Sequence, residues 1–362
     1  AENLDGCLLR SQTKIGSSRD VFWGDTVDLS HYNLMGFSMK PDQNPLLHNW
    51  NHIFVIYCDG MYFAGSNETP TVHKGVQLHF RGADIMTAVL DDLGARHGLG
   101  SATDVVIGGC SAGGLSTFQT VDWAAAHPGI PATARVAGLS CSGYYLDYNF
   151  ETTRFSDKKK FPYWMGNMSR TLSKECLADH GHQPHMCLIS KVNAPYLRTP
   201  LFMWDSIFDI YMLQNVLRSV GCMQPECANP HSHKYREALR ELWRAQPTMG
   251  AFLDACSHHC EDVVGGTLEN LAAIDGLKPL QAFSVWYKSY VPRRGQSPAT
   301  PPNGSGKRTW EVTHEVTYPC FQCCPLFPAQ QVFPAQQLFP VPGRAAQPAG
   351  GGARPRPSPG SA

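Results

Sequence analysis

The sequence has little charge and no excess of either sign. Charged residues make up 17% of its 362 residues, and 30 lysines and arginines balance 30 aspartates and glutamates. Proteins that bind nucleic acid usually carry a basic patch or stripe, so this balance argues against a nucleic-acid partner. It also provides no overall attraction to a polyanionic substrate, whose binding must therefore rely on local basic residues.

Long apolar runs are missing as well. A transmembrane helix needs about 18 or more consecutive apolar residues, and no stretch of the chain reaches that length. The sequence therefore predicts no transmembrane segment. Hydrophobic residues nevertheless make up 43% of the chain, which is long enough for one large α/β domain with a buried core.

Cysteine, by contrast, is plentiful. Thirteen cysteines are more than a typical cytosolic enzyme contains and indicate an oxidising compartment. Three N-glycosylation sequons, at Asn67, Asn167 and Asn303, point the same way. We expect a secreted protein of the extracellular space or cell wall, although this sequence shows no signal peptide.

The cysteine spacing allows several local bridges but does not fix the connectivity. The pairs near enough in sequence are Cys176 with Cys187, Cys222 with Cys227, and Cys256 with Cys260. Cys58 and Cys110 lie in apolar, strand-like segments, which is typical of buried free thiols.

Residues Gly109–Gly113 read Gly-Cys-Ser-Ala-Gly and match the pattern G-x-S-x-G. Val105–Ile107 predicts a short buried strand before the motif, and Leu115–His127 predicts a helix after it. Alone, the pentapeptide fits an ordinary glycine-rich turn equally well. The strand–turn–helix setting favours a nucleophile elbow, which lifts the Ser111 hydroxyl to a helix N-terminus where partial positive charge stabilises developing anions.

A serine nucleophile needs a base and an acid that orients the base, and in α/β-hydrolases the order along the chain is serine, acid, histidine. Pro200–Trp204 predicts a buried strand, after which Asp205 and Asp209 both qualify as the acid. Cys256–Cys260 encloses two histidines, His258 and His259, as candidate bases. A zinc site is the alternative for this segment, but a second ligand pair at matching spacing is missing.

At this point the sequence resembles the pectin acetylesterase family, which also contains the animal carboxylesterase Notum. The resemblance covers residues 7–292 and rests on strings that occur in the family's order: the segment from Leu9 to Ser18, Asn44-Pro45 with His48–Asn51, Tyr57–Gly60 with Phe63 and Gly65, Leu78–Gly82, Gly109–Gly114, Phe208-Asp209 with Gln214, and Ser257–Cys260. It implies an α/β-hydrolase-like fold with a doubly wound, mostly parallel sheet and helices on both faces.

The resemblance also resolves the two open choices. It implies that the acid is Asp209 and that the base is His259, so the expected catalytic residues are Ser111, Asp209 and His259. It implies a serine carboxylesterase that hydrolyses O-acetyl esters of a cell-wall polysaccharide, with pectin as the expected substrate. No metal or organic cofactor is expected, and the protein is expected to be a monomer. The alternatives are a Notum-like lipid or protein deacylase and a catalytically impaired carbohydrate-binding protein.

One part of the family pattern has no match. Family members carry a strand ending in a "GGGWC" turn whose N–H groups supply half of the oxyanion hole, and this string is absent. Ala112 and Gly60 are the remaining residues expected to line the oxyanion and substrate site. Losing one oxyanion donor typically lowers turnover by about 100- to 1,000-fold, which is the reason for considering an impaired enzyme.

The composition changes near Pro292 and predicts three regions. Residues 1–292 are expected to form the esterase domain, N-terminally incomplete, followed by a linker over 293–317 that is rich in Pro, Gly, Ser and Arg. Residues 318–362 combine three cysteines with a Pro-rich repeat of six residues that starts at Leu326. Such a tail is expected to remain disordered.

Overall fold

The computed structural model describes residues 3–13, 16–17, 36–148, 154–217, 222–260, 272–293, 308–311, 316–320 and 323–324. The repeat from Leu326 and the sequon at Asn303 lie outside these residues. The expected disorder of the tail and the expected domain limits therefore stay predictions.

The described residues alternate strands and helices. The strands are β1 (Thr71–His73), β2 (Val76–Leu78), β3 (Asp104–Cys110), β4 (Arg135–Cys141), β5 (Leu201–Ser206), β6 (Gly250–Asp254) and β7 (Thr309–Glu311). The helices are α1 (Leu4–Ser11), α2 (Gly82–Arg96), α3 (Ala112–Ala125), α4 (Lys160–Gly166), α5 (Lys174–Asp179), α6 (Ser190–Asn193), α7 (Pro225–Ala245) and α8 (Pro279–Tyr290).

Strands β3 to β7 form one sheet in chain order, and every neighbouring pair is parallel. β1 and β2 form a separate antiparallel hairpin. Because parallel strands start at one edge of the sheet and end at the other, the residues that follow β3, β5 and β6 emerge at a common edge. That edge carries the candidate site.

Side-chain alternation in β5 shows how the sheet is covered. Leu201 and Met203 pack into one apolar cluster together with Phe118 and Val121 of α3 and Leu239 of α7. Phe202 and Trp204 point the other way, into a cluster with Phe283 and Trp286 of α8. Successive side chains of a strand face opposite sides, so a strand that is apolar throughout is stable only with helices on both faces.

The sequence predicts several of these elements. Apolar residues at helical spacing predict a helix over Gly82–Arg96, and α2 has those bounds. The amphipathic pattern of Lys234–Trp243 also predicts a helix, and this segment lies in the C-terminal half of α7. The strands expected over Val105–Ile107 and Pro200–Trp204 are β3 and β5. The short apolar run Val136–Leu139 also predicts a strand, and it lies in β4. The predicted doubly wound, parallel α/β architecture is thus the observed one.

The apolar run Ile53–Tyr57 also predicts a strand, and this prediction is wrong. Among the described residues this segment pairs with no strand, and Ile53–Val55 line a cavity of about 410 Å³ together with residues of β3. A strand needs a hydrogen-bonded neighbour, and the described part of the chain provides none for this segment.

Part of the expected linker is also structured. Thr309–Glu311 forms β7, which pairs with Ala251–Leu253 of β6. Trp310 is buried against the α8 side of the sheet, because this short segment alternates one apolar residue between polar ones.

Candidate active site

Ser111, Asp209 and His259 follow three strands of the sheet. Ser111 comes directly after β3, Asp209 lies three residues beyond the end of β5, and His259 lies five residues beyond the end of β6. The structure brings these three side chains together although 148 residues separate the serine from the histidine.

The turn at Ser111 is tight and strained. Ser111 has φ 57° and ψ −116°, a backbone conformation that residues other than glycine rarely adopt. A Cβ on Gly109 would lie 2.6 Å from the backbone of Gly113, and a Cβ on Gly114 would lie 2.5 Å from the Cys141 carbonyl oxygen. Both glycines are therefore required by the close approach of β3, α3 and β4, which fixes the Ser111 hydroxyl beyond the strand end.

His259 lies between the other two side chains. Its Nε2 is 2.7 Å from Ser111 Oγ, and its Nδ1 is 2.7 Å from Asp209 Oδ2. The Tyr211 ring stacks on the imidazole at a centroid distance of 4.9 Å. Tyr145, which is buried, lies within hydrogen-bonding reach of Ser111, and burial raises the pKa of Tyr145 well above its usual value.

The two aspartates that the sequence could not separate have different environments. Burial acts to raise the pKa of Asp209, but the charge and hydrogen bond of His259 and the Met212 N–H leave it below its usual value. Asp205 instead accepts the Gly143 N–H at 2.9 Å. Burial and the neighbouring Asp209 raise the pKa of Asp205 to about 8, so it is largely protonated at neutral pH. A neutral acid does not stabilise an imidazolium, so Asp209 is the better partner.

The two histidines also differ. His258 turns away from Ser111 and places its Nε2 3.0 Å from both Asp254 carboxylate oxygens. Among the described residues only His259 contacts both Ser111 and Asp209.

The expected oxyanion residues occupy different places. Ala112 is the first residue of α3, so its N–H points out of the helix end next to Ser111. Gly60 lies in a turn beside Arg10, and none of the described hydrogen bonds connects it to Ser111. Both remain candidates rather than observed ligand contacts.

Disulfides surround the site in a pattern that spacing did not show. Cys110, expected as a free thiol, pairs with Cys260, and Cys256 pairs with Cys324 rather than with Cys260. Sequence neighbours are not spatial neighbours here, since β3 and the segment after β6 meet only in the folded sheet. The local bridges expected for Cys176–Cys187 and Cys222–Cys227 are confirmed. Cys58 has the expected free thiol, but it is half-buried rather than buried.

The zinc alternative has no support at this segment. Cys256 and Cys260 are both oxidised, and a disulfide sulfur does not supply the thiolate that zinc requires. Within the described ranges no group of three or more potential metal ligands was found. The helices in the same ranges are too short or too polar to cross a membrane.

Sequence analysis did not identify two features of the site. The aromatic side chains of Tyr145 and Tyr211 give no motif, because tyrosines are common in buried segments. The ion pair of His258 with Asp254 had a signal, namely a carboxylate at the end of a strand four residues before a histidine.

Comparison with known proteins identifies the family. The pectinacetylesterase family model matches residues 1–325. The chain belongs to the pectinacetylesterase family. Pectin acetylesterase 11 of Arabidopsis thaliana is 30% identical over 275 residues, an alignment that covers 70% of this chain and 67% of that protein. The palmitoleoyl-protein carboxylesterase NOTUM of Drosophila melanogaster is 28% identical over 199 residues, covering 52% of this chain and 28% of that protein.

A solved structure shows the same fold. The Wnt deacylase Notum from Drosophila superposes with a TM-score of 0.64 at 22% identity, covering 82% of this chain and 85% of that structure. Family and fold agree on the α/β architecture. This pectinacetylesterase-family chain is a carboxylic ester hydrolase by membership.

Proposed function

We propose that this chain is a serine esterase that removes O-acetyl groups from a cell-wall polysaccharide, with pectin as the substrate. The observation that carries the proposal is the continuous hydrogen-bonded line from Asp209 through His259 to Ser111, with both contacts at 2.7 Å. A serine, a histidine and a carboxylate in this order have the geometry of acyl transfer.

In the first half of the reaction Ser111 Oγ attacks the acetyl carbonyl carbon while His259 Nε2 takes the hydroxyl proton. Asp209, ionised at neutral pH, stabilises the imidazolium that forms. When the tetrahedral intermediate collapses, the bond to the sugar oxygen breaks. That oxygen takes the proton from His259, and the acetyl group stays on Ser111.

In the second half, water attacks the acetyl-serine after giving a proton to His259. Collapse of the second intermediate releases acetate and returns the proton to Ser111. The Ala112 N–H donates a hydrogen bond to the oxyanion in both halves, helped by the positive end of α3.

The family relationship and the disulfides support the substrate class and the compartment. The name of the Arabidopsis relative specifies acetyl esters of pectin. Five disulfides join ten of the thirteen cysteines, which fits an oxidising, extracellular site of action. The proposal includes that the protein is a secreted monomer and that its substrate is a polysaccharide and not a nucleic acid.

A longer acyl group is the second candidate. The cavity of about 410 Å³ beside β3 reaches Cys110 and Gly113, which lie on either side of Ser111 in the sequence. Its lining is mostly apolar and includes Phe37, Leu90 and Leu139. Such a volume accommodates a lipid chain, so a Notum-like deacylase remains the alternative to an acetylesterase.

The first test is hydrolysis of p-nitrophenyl acetate by the secreted protein, beside Ser111→Ala and the matched control Ser101→Ala, an exposed serine. We expect Ser111→Ala to lower kcat by about 10,000-fold or more, because water must then attack the ester directly, without an acyl-enzyme. The control should keep the kcat of the wild type. Activity retained by Ser111→Ala would overturn the proposal. Folded wild-type protein without activity would favour the impaired, carbohydrate-binding alternative.

The second test separates the acyl groups. Acetate release from acetylated pectin is compared with hydrolysis of p-nitrophenyl acetate, octanoate and palmitate. Acetylated pectin as the best substrate supports the proposal, whereas a higher kcat/KM for palmitate than for acetate supports the deacylase.

A further inference from the structure

A second buried ion pair lies next to His259 and has no part in the proposed reaction. Asp254, the last residue of β6, and His258 are each 2% exposed. Asp254 Oδ1 also accepts the Cys256 N–H at 2.9 Å, so the carboxylate holds both the start and the middle of the segment that carries His259. Removing charged groups from water is costly, so two charged side chains buried outside the proposed reaction need a physical explanation.

The two ring nitrogens of His258 both face acceptors. Nε2 is 3.0 Å from the Asp254 oxygens, and Nδ1 is 3.0 Å from the Cys260 carbonyl oxygen. A carbonyl oxygen and an ionised carboxylate only accept hydrogen bonds, so both ring nitrogens must carry a proton. The geometry thus requires an imidazolium.

The surrounding charges maintain that imidazolium. Burial acts to lower the pKa of His258, but the charge and hydrogen bond of Asp254, the charge of Asp209 and the Cys260 carbonyl raise it to about 9. Asp254 faces the ring from the end of β6, Asp209 from the segment after β5, and His259 is its neighbour along the chain. His258 is therefore charged throughout the neutral range.

These contacts fix the peptide groups on both sides of His259. The His258 carbonyl accepts the N–H of Ile210, the residue after Asp209, at 3.2 Å. The Cys260 carbonyl oxygen accepts a hydrogen bond from His258 Nδ1, and the Cys260 N–H donates one to Ser142 Oγ at 2.8 Å. Since the backbone is held before and after His259, its imidazole has little freedom to move away from Ser111 and Asp209.

We infer that His258, charged and paired with Asp254, is a positioning residue that holds His259 in line between Ser111 and Asp209. The inference rests on the proposed function, in which His259 is the base. It has a consequence for pH: above about 9 His258 loses a proton, one of its two hydrogen bonds is lost, and the rate of the chemical step falls.

The experiment compares His258→Gln and Asp254→Asn with the wild type, using kcat, KM and the pH profile of kcat from pH 6 to 10.5. Tyr287→Phe is the matched control, because it removes a hydrogen bond to Asp104 at the opposite end of β3. Thermal melting verifies that each variant is folded.

We expect His258→Gln to lower kcat by about 10- to 100-fold with KM changed less than about threefold, as for a displaced catalytic group. The basic limb near pH 9 should be present in the wild type and Tyr287→Phe, absent in His258→Gln, and moved to lower pH in Asp254→Asn. The last shift follows because loss of the carboxylate charge lowers the pKa of His258.

Three results would overturn the inference: a kcat of His258→Gln close to wild type, a lowered kcat with an unchanged basic limb, or an unshifted limb in Asp254→Asn. If His258→Gln does not fold, the position of the basic limb in the pH profile of Asp254→Asn tests the inference instead. A Ser111→Ala variant that keeps its activity defeats the proposed function instead, so the two failures are distinguishable.

Discussion

Cys110 and Cys260 are joined by a disulfide, and they are the residues immediately before Ser111 and immediately after His259. The bridge connects the turn at Ser111 covalently to the segment that carries His259. It closes a loop with a sequence separation of 150 residues. By chain-entropy arguments, closing so long a loop destabilises the unfolded state by about 5 kcal/mol.

The first prediction follows from this bridge. Cys110→Ser with Cys260→Ser should lower kcat by about 10-fold or more, because Ser111 and His259 are then held together by hydrogen bonds alone. Steady-state kinetics measure the change. The control is the double serine variant of Cys176 and Cys187, a bridge outside the site, which should lose stability but retain its kcat. Equal kinetics in both variants would show that the bridge does not serve the site.

The second prediction separates the two aspartates. Asp209→Asn should lower kcat by about 10,000-fold, because an amide cannot stabilise the imidazolium or hold the His259 tautomer. Asp205→Asn should retain most of the activity, since Asp205 bonds to Gly143 and not to His259. The measurement is kcat on p-nitrophenyl acetate, and a larger loss in Asp205→Asn would reverse the assignment.

The third prediction concerns the stability contributed by Asp205. Its folded pKa of about 8 lies above the ordinary value of 3.8, so the folded state binds this proton more tightly than the unfolded state. Its contribution to stability is complete below pH 3.8 and is lost as the pH rises through 8. Asp205→Asn should therefore flatten the decline in unfolding free energy between these pH values.

Denaturant titrations of wild type and variant at pH 4, 6 and 8 measure that decline. The unfolding free energy of the variant, relative to that of the wild type, should be highest at pH 8. An identical pH dependence in the two proteins would contradict the assignment of the raised pKa to Asp205.

The fourth prediction concerns the sequons. Asn167 is exposed, whereas the Asn67 side chain donates to the Met165 carbonyl at 3.1 Å and is half-buried. Glycosylation should therefore be more complete at Asn167. Mass spectrometry of the secreted protein, with Asn167→Gln and Asn67→Gln compared, measures the occupancy. A glycan found mainly on Asn67 would contradict this reasoning.

The parts of the fold that sequence could predict are those governed by local pattern. Gly82–Arg96 has helical spacing of apolar residues, and Pro200–Trp204 is apolar throughout, so each element follows from its own residues. Ile53–Tyr57 has an equally strand-like pattern, but no described residue pairs with it. Thr309–Glu311 is the opposite example, because three residues in a polar region become a strand only beside β6.

The same distinction applies to the site. The turn at Ser111 could be found because its glycines are required locally by the close approach of strand and helix. The choice of Asp209 over Asp205, and of His259 over His258, depends on where each side chain points after the chain leaves its strand. Spacing does not contain that information, and the family resemblance supplied it. The pairing of Cys110 with Cys260 likewise depends on contacts across the whole sheet.

The bridge from Cys256 to Cys324 has a consequence for biosynthesis. The segment that carries His259 is bonded to a cysteine 68 residues further along the chain. A ribosome makes the chain from its N-terminus, so Ser111 and Asp209 are synthesised well before Cys324. The Cys256–Cys324 bridge can therefore close only after residue 324 has been made, and a protein truncated between residues 292 and 324 would leave Cys256 without this partner.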